Sequence, residues 1–204
     1  MNAWDLSLLH QINTAWSHPV LDWLMPALSA IEAWLPLIIA AVLLTAWRGG
    51  KRARIMLLCL GIAIGLGDGV ISNTLKKSIG RVRPRDARPE VIVRDLGTAS
   101  PAFMRLFEKP VVKPSEPSGA TTGKSFPSSH TVNMFAAATV IACFYRRAGL
   151  FMYLLAAAVG YSRVYCGAHW PGDIPPSMAI GVLVGLGVVA VARRALAQGL
   201  EKQG

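Results

Sequence analysis

The sequence has 204 residues, of which 53% are hydrophobic and only 16% are charged, and its formal net charge is +10. A soluble domain of this length usually carries about a quarter charged residues, so the composition argues against a water-soluble protein. The positive charge favours an anionic partner. Nucleic acid is disfavoured as that partner, because the basic residues punctuate long apolar runs and do not form a polar surface interleaved with aromatic residues.

Five apolar segments approach the roughly 20 residues that a helix needs to cross a bilayer. They show no strand-like alternation, and lipid requires each spanning segment to satisfy its own backbone hydrogen bonds. We therefore predict an all-α fold, a polytopic membrane helix bundle with about five transmembrane helices. The predicted spans are residues 21–47, 55–75, about 126–145, 148–162 and 174–192.

The other segments complete one predicted integral-membrane domain over residues 1–204. Residues 1–17 place Trp4, Leu9 and Ile12 among polar neighbours, a pattern that favours an interfacial amphipathic helix, with a frayed tail as the alternative. Residues 85–125 are polar and rich in proline, which predicts a long extramembrane loop. Within it, residues 102–107 could form a helical turn.

Basic residues in the short loops predict the orientation in the membrane. They cluster in residues 48–54, at 146–147 and in the C-terminal tail, three places that share one side of a five-span protein. This side should be cytoplasmic, and the long loop should then face outward. One observation opposes the assignment, since residues 76–124 hold eleven Lys and Arg against five Asp and Glu. A phosphate-binding role for that loop would explain its charge.

Polar residues with catalytic potential lie at the outward helix ends, which a bundle brings to one surface. Arginine can donate two parallel hydrogen bonds to phosphate oxygens, and lysine adds a positive charge beside them. The first turn of a helix also offers free N–H groups to an anion. Two histidines allow one nucleophile and one proton donor, and an aspartate four residues after a histidine can orient its ring. The candidates are Lys76 and Arg83, then Ser128, Ser129 and His130, then Arg163, and finally His169 and Asp173.

Three motifs carry a resemblance to a known family. Residues 76–84 read K-x6-R-P, residues 127–130 read P-S-S-H, and residues 162–173 read S-R-x5-H-x3-D. In this order they resemble the signature of the type 2 phosphatidic acid phosphatase superfamily, over about residues 60–185, and most closely its membrane-bound bacterial branch. That branch includes undecaprenyl diphosphate phosphatases and enzymes like phosphatidylglycerophosphatase B.

The resemblance implies a role for each matched residue. Three basic side chains would bind the phosphate, namely Lys76, Arg83 and Arg163, and Ser128 with the backbone near Ser129 would complete the cradle. His169 would attack phosphorus and form a phosphohistidine, Asp173 would orient it, and His130 would protonate the leaving oxygen. No cofactor and no metal are implied. Metal ligation by His169 and Asp173 is the alternative, disfavoured because few other ligands accompany them and basic residues surround them.

The sequence departs from the family pattern in two places. Ser129 stands where glycine is common, and two prolines, Pro175 and Pro176, follow shortly after Asp173. Proline is tolerated in a first helical turn, so neither departure removes a catalytic group. Two further residues are candidates for supporting contacts behind the phosphate ligands. Asp68 lies in the second span, eight residues before Lys76, where it could share a helix face with that lysine or make a purely structural contact. Arg81 could bind a second phosphate or be a solvated charge of the loop.

The resemblance implies a lipid phosphatase of the bacterial inner (plasma) membrane, with its active site facing the periplasm or outside and a membrane lipid phosphate or diphosphate as substrate. We expect undecaprenyl diphosphate as that substrate. Phosphatidylglycerol phosphate, phosphatidate and lipid A 1-phosphate are alternatives, as is a lipid phosphotransferase with the same motifs. A vanadate-dependent haloperoxidase is disfavoured by the spans, and a non-enzymatic lipid-binding or transport protein by the intact histidines. The sequence leaves the oligomeric state open.

Overall fold

The computed structural model describes residues 3–201, with side chains described for residues 3–198. The long apolar segments all form helices, which run along the bundle. The helices are α1 (Ala3–His10, continued by a π turn over Gln11–Ala15), α2 (Pro19–Ser29), α3 (Ile31–Arg48), α4 (Lys51–Ile64), α5 (Asn73–Ile79), α6 (Pro84–Ala87), α7 (Ser129–Phe144), α8 (Arg146–Tyr165) and α9 (Ile174–Glu201). A π-helical segment, Gly65–Ser72, joins α4 to α5 in one continuous helix.

The prediction of a membrane helix bundle is confirmed. Four helical segments are long and apolar enough to cross a bilayer, namely Ile31–Arg48, the helix that starts at Lys51, Arg146–Tyr165 and Pro171–Gln198. The other predicted span is α7, which has 16 residues and lies at the centre of the bundle, with Val132, Ala136 and Val140 fully buried. Because protein surrounds α7, its length need not match the thickness of the lipid.

Two glycines of α9 allow a close contact with α7. A Cβ on Gly181 would lie 2.4 Å from the carbonyl oxygen of Val132, and one on Gly185 would lie 2.8 Å from Cβ of Thr139. Only the lack of a side chain lets the two backbones approach this closely, as in other small-residue helix interfaces. The contact fixes α7, which begins at the Ser129–His130 motif, against α9, which follows Asp173.

The prediction of one continuous helix over residues 21–47 is wrong, because the chain breaks into α2 and α3 at Ala30. Ala30 has non-helical backbone angles, φ −98° and ψ 80°. Side chains satisfy the carbonyls that the break leaves free: the indole of Trp34 donates to Ala27 O at 2.8 Å, and Arg163 donates to Ser29 O at 3.1 Å. The break therefore supplies acceptors to an arginine of the predicted site.

The N-terminal helix packs against the protein with one face. Leu9 and Ile12 join an apolar cluster, and two polar residues, Asp5 and Asn13, are buried beside them. The Asn13 side chain donates to Ile92 O at 2.8 Å and to Tyr165 O at 2.7 Å. Its location at the membrane interface stays a prediction, whereas these protein contacts were not predicted from the sequence. Residues 1 and 2 of the predicted segment lie outside the described residues.

The long loop contains short elements that connect it to the bundle. Strands β1 (Ile92–Asp95) and β2 (Val111–Pro114) pair antiparallel, with Ile92 opposite Pro114, and a 3-10 turn over Ala102–Phe107 lies between them. The turn agrees with the prediction, and the hairpin was not predicted. Arg94 of β1 is buried and donates to Asp22 of α2 at 2.5 Å and to Asn13 O at 2.8 Å. This ion pair fixes the loop over the outward end of α2.

The glycine contact predicts a stability difference between two otherwise identical substitutions. Gly181→Ala should lower the free energy of unfolding by about 1–3 kcal/mol, because the added methyl group cannot fit against α7. Gly187→Ala on the same helix should be neutral or stabilising, since no described atom lies within 4 Å of its Cβ position. Thermal unfolding in detergent compares the two variants, and equal loss of stability in both would refute the close-contact explanation.

Candidate active site

The helix ends that carry the three motifs meet at one end of the bundle, as predicted. Lys76 lies near the end of α5, and its Nζ is 2.5 Å from Oγ of Ser129 at the start of α7. The charges of Lys76, Arg83 and Arg163 lie within electrostatic range of one another and of the histidines. A set of cations this close together is stable only beside negative charge, which indicates an anion site.

The position of His169 is set by the turn that follows α8. Gly167 has a left-handed φ of +70°, a conformation that favours glycine, and a Cβ there would come within 2.6 Å of Val91. After this turn the backbone N–H of His169 donates to Arg163 O at 3.1 Å. The turn thus brings the histidine back beside the arginine of its own motif.

The imidazole of His169 is 2% exposed and lies next to Asp173. Its Nδ1 is 3.6 Å from Oδ2 of Asp173, which leaves the other nitrogen, Nε2, on the far side of the ring. Burial lowers the pKa of His169 to about 4, against the opposing effect of the Asp173 carboxylate. The ring is therefore neutral near pH 7, and a neutral imidazole carries the lone pair that a nucleophile needs.

Asp173 is fully buried, and several donors hold its carboxylate in place. Oδ2 accepts from Ser125 Oγ at 2.5 Å and from the backbone N–H of Trp170 at 3.0 Å. Oδ1 accepts from Arg81. A carboxylate with this many donors stays ionised and keeps a fixed orientation. Arg81 was predicted as a supporting residue of uncertain partner, and the structure places it directly on the orienting aspartate.

Asp5, which was not predicted from the sequence, binds Arg81 on the side away from Asp173. Asp5 is 2% exposed, accepts from Arg81 Nη2, and accepts from the backbone N–H of Gly172 at 2.8 Å. The N-terminal helix therefore contributes a charged residue to the site. One signal was available in the sequence, since Asp5 precedes Leu9 by one helical turn and so lies on the buried face of α1.

The phosphate candidates present buried donors that protein groups leave free. Arg83 Nε, Arg163 Nε and His130 Nε2 are buried without a hydrogen-bond partner among the described residues. Arg163 is anchored by its Nη1, which donates to Ser29 Oγ and Ser29 O. Buried polar atoms normally have partners, so these three donors mark a place for an external group that accepts hydrogen bonds.

Ser128 and Ser129 take different positions. Ser128 is buried as the N-cap of α7, where its Oγ accepts from Thr131 Oγ1 at 3.0 Å and its N–H donates to Ser177 Oγ at 2.9 Å. Ser129 contacts Lys76. The hydroxyl of Ser129 thus occupies the place that glycine would leave open, and it binds the lysine there.

Three further charged residues lie at the edge of this cluster. Asp68, on the π-helical segment, acts electrostatically on Lys76 and His130. Farther out, Arg85 lies 3.7 Å from the Asp95 carboxylate, and Arg88 lies 4.0 Å from that of Glu90. These two arginines are thus partly neutralised by acids of the same loop.

Comparisons with known proteins agree with this geometry. A lipid A 4'-phosphatase of Bacteroides thetaiotaomicron is 29% identical over 167 residues, which cover 80% of this chain and 66% of that protein. The putative undecaprenyl-diphosphatase YbjG of Escherichia coli is 37% identical over 60 residues, which cover 29% of this chain and 30% of that protein. The chain thus matches just under two thirds of the length of the first relative and less than a third of the second.

The fold also matches a solved membrane structure. The crystal structure of Aquifex aeolicus LpxE superposes with a TM-score of 0.65 at 23% identity, over 93% of this chain and 96% of that chain. The family model of the PAP2 superfamily matches residues 52–196. Because this match covers more than half of the chain and all three motifs, the protein belongs to the PAP2 superfamily.

Proposed function

We propose that the protein is a membrane lipid phosphatase that uses His169 as its nucleophile. The observation that supports this most directly is the set of buried, unpartnered donors on Arg83, Arg163 and His130 beside a neutral, buried histidine. Guanidinium donors match phosphate oxygens in geometry and in charge. A cluster of three cations disfavours a metal cation as the occupant, and the carboxylate of Asp173 is already paired with Arg81.

The proposed reaction has two steps, in which each bond made has a bond broken. Nε2 of His169 attacks the terminal phosphorus while the bond from that phosphorus to the oxygen of the leaving lipid (the bridging oxygen of a diphosphate) breaks, and His130 donates a proton to that oxygen. Water then attacks the phosphohistidine as its bond from phosphorus to Nε2 breaks, His130 takes a proton from the water, and inorganic phosphate leaves. Asp173 stabilises the Nδ1–H of His169 in both steps. Lys76, Arg83 and Arg163 offset the charge on the equatorial oxygens.

A lipid substrate follows from the location of the site at the ends of membrane helices, where the headgroup of a membrane lipid lies. We propose undecaprenyl diphosphate, and the likeness to the E. coli putative undecaprenyl-diphosphatase supports it. A lipid A phosphate is the second candidate, favoured by the longer match to the Bacteroides lipid A 4'-phosphatase. We further propose that the site faces the periplasmic side of a bacterial inner membrane, opposite the basic short loops.

Phosphate release by the purified protein tests the proposal. In detergent and without added metal, the protein should release phosphate from undecaprenyl diphosphate faster than from lipid A, phosphatidylglycerol phosphate or phosphatidate. His169→Ala should lower the rate at least about a thousandfold, since it removes the nucleophile. His10→Ala is the matched control, because His10 is exposed on α1 and should leave the rate unchanged.

Each alternative has its own signature in that assay. Faster release from lipid A would support the second candidate, and transfer of phosphate to an added lipid acceptor would indicate a phosphotransferase. Turnover by His169→Ala at the normal rate would refute the mechanism. Loss of turnover with a chelator, restored by a divalent ion, would refute its metal-free chemistry.

The buried chain from Asp5 to Asp173 generates a second prediction. Asp5→Asn should lower kcat about tenfold with little change in KM, because Arg81 would lose its charged anchor and Asp173 would orient His169 less well. Glu90→Gln is the control, since that exposed loop acid lies against Arg88, outside the site. Steady-state kinetics on both variants, with thermal unfolding to confirm folding, make the comparison. An unchanged kcat in a folded Asp5→Asn variant would contradict the positioning role.

A further inference from the structure

The end of the bundle opposite the active site carries a basic pocket. Lys51 and Lys76 lie near opposite ends of the continuous helix from α4 to α5, so the pocket at Lys51 is a helix length away from the catalytic residues. A cavity of about 390 Å³ opens there between α4, α7 and α9, and its basic lining is Lys51, Arg52 and Arg193. Ile55 and Phe144 form part of its apolar base.

The basic pocket continues into a long apolar groove between α4 and α9. The groove has a volume of about 700 Å³, and Leu58, Ile62 and Leu183 line it. It shares Ile55, Ala192 and Leu196 with the basic pocket, so the two form one continuous surface. The lining residues on the continuous helix from α4 to α5 run from Ile55 to Ile71, which is more than about 20 Å at 1.5 Å per residue and exceeds half of the roughly 30 Å hydrocarbon core. The groove is therefore long enough for an acyl chain that extends through a single leaflet.

Two arginines of the pocket are held by hydrogen bonds to the protein and keep further N–H donors for a ligand. Arg52 donates to Phe144 O at the end of α7 and stacks on Tyr145, and Arg193 donates to Cys143 O at 3.2 Å. A guanidinium has five N–H donors, so each arginine can bind a second acceptor. The α4 helix also starts at Lys51 of the pocket, and Gly50 before it has no side chain that could cap the first N–H groups.

Basic residues dominate the charge at this end of the bundle. Eight basic residues lie within residues 48–54, 146–147 and 193–194, and the sequence has no Asp or Glu from residue 33 to 67 or from 174 to 200. Basic pockets between membrane helices bind acidic lipid headgroups, whereas a free phosphate would not use the adjoining apolar groove. We propose that this pocket and groove bind one anionic phospholipid, with its phosphate on Lys51, Arg52 and Arg193 and an acyl chain between α4 and α9.

Native mass spectrometry of the detergent-solubilised protein tests the proposal, with phosphatidylglycerol and phosphatidylcholine as the two probes. One phosphatidylglycerol should remain bound at activation energies that remove phosphatidylcholine. The double variant Lys51→Gln/Arg193→Gln should bind phosphatidylglycerol about thirtyfold more weakly, since each basic residue near an anionic headgroup contributes roughly fivefold. Arg146→Gln/Arg147→Gln removes the same charge outside the pocket and should bind as the wild type does.

A second pair of variants tests the acyl-chain groove without changing any charge. Gly187 lines the groove, and no described atom lies within 4 Å of its Cβ position, so Gly187→Leu should fill the groove and reduce phosphatidylglycerol binding. Gly61→Leu is the control, on an open face of α4 that does not line the groove.

Three outcomes would overturn the proposal: equal retention of the two lipids, equal loss in both charge variants, or binding in Gly187→Leu that matches the control. The comparison of the two lipids uses the wild type, so it decides the question even if a variant fails to fold. His169→Ala should retain the lipid, because this inference does not depend on the proposed catalysis.

Discussion

The buried carboxylate of Asp173 sets the constraint on which the site depends. A charge taken out of water is costly unless hydrogen bonds and counter-charge replace the lost solvation. Here the replacements come from four parts of the chain: Arg81 before the long loop, Ser125 at the end of that loop, the backbone of Trp170, and Asp5 of the N-terminal helix through Arg81. Each must be in place for the carboxylate to be stable, so the N-terminal helix and the loop are structural parts of the site.

The same logic explains why α2 and α3 are separate helices. An unbroken helix would hold the carbonyl of Ser29 in its own backbone ladder, where it would be unavailable to Arg163. The break frees Ser29 O and Oγ, which fix one end of the Arg163 guanidinium and leave its Nε free for an external acceptor. Preorganised donors of this kind stabilise developing charge without reorganising during the reaction.

The motif residues could be predicted from sequence, because a membrane limits the chain to helices that cross it and so sorts polar residues to their ends. Lys76, Ser129, His169 and Asp173 come together for that reason. Asp5 could not be placed, since its partners lie 76 or more positions away and depend on how α1 docks. The break at Ala30 could not be predicted either, because it depends on distant side chains that bind the freed carbonyls. The apolar sequence of residues 21–47 is compatible with a continuous helix and with a broken one. The strands of the 92–114 hairpin have four residues each, which is too short to show a clear alternation of apolar and polar residues.

The charge of the long loop no longer opposes an outward orientation. Basic residues in short loops set the orientation, whereas a long loop crosses the membrane largely regardless of its charge. Within residues 76–124, Arg81, Arg85, Arg88 and Arg94 each lie against a carboxylate, and Lys76 and Arg83 lie in the site, so these six residues have structural roles there. The basic residues of the short loops lie at the opposite end, and the sequence has no Asp or Glu from residue 33 to 67. The short-loop rule therefore supports the proposal that this end is cytoplasmic, although a simple count of basic residues favours the other end.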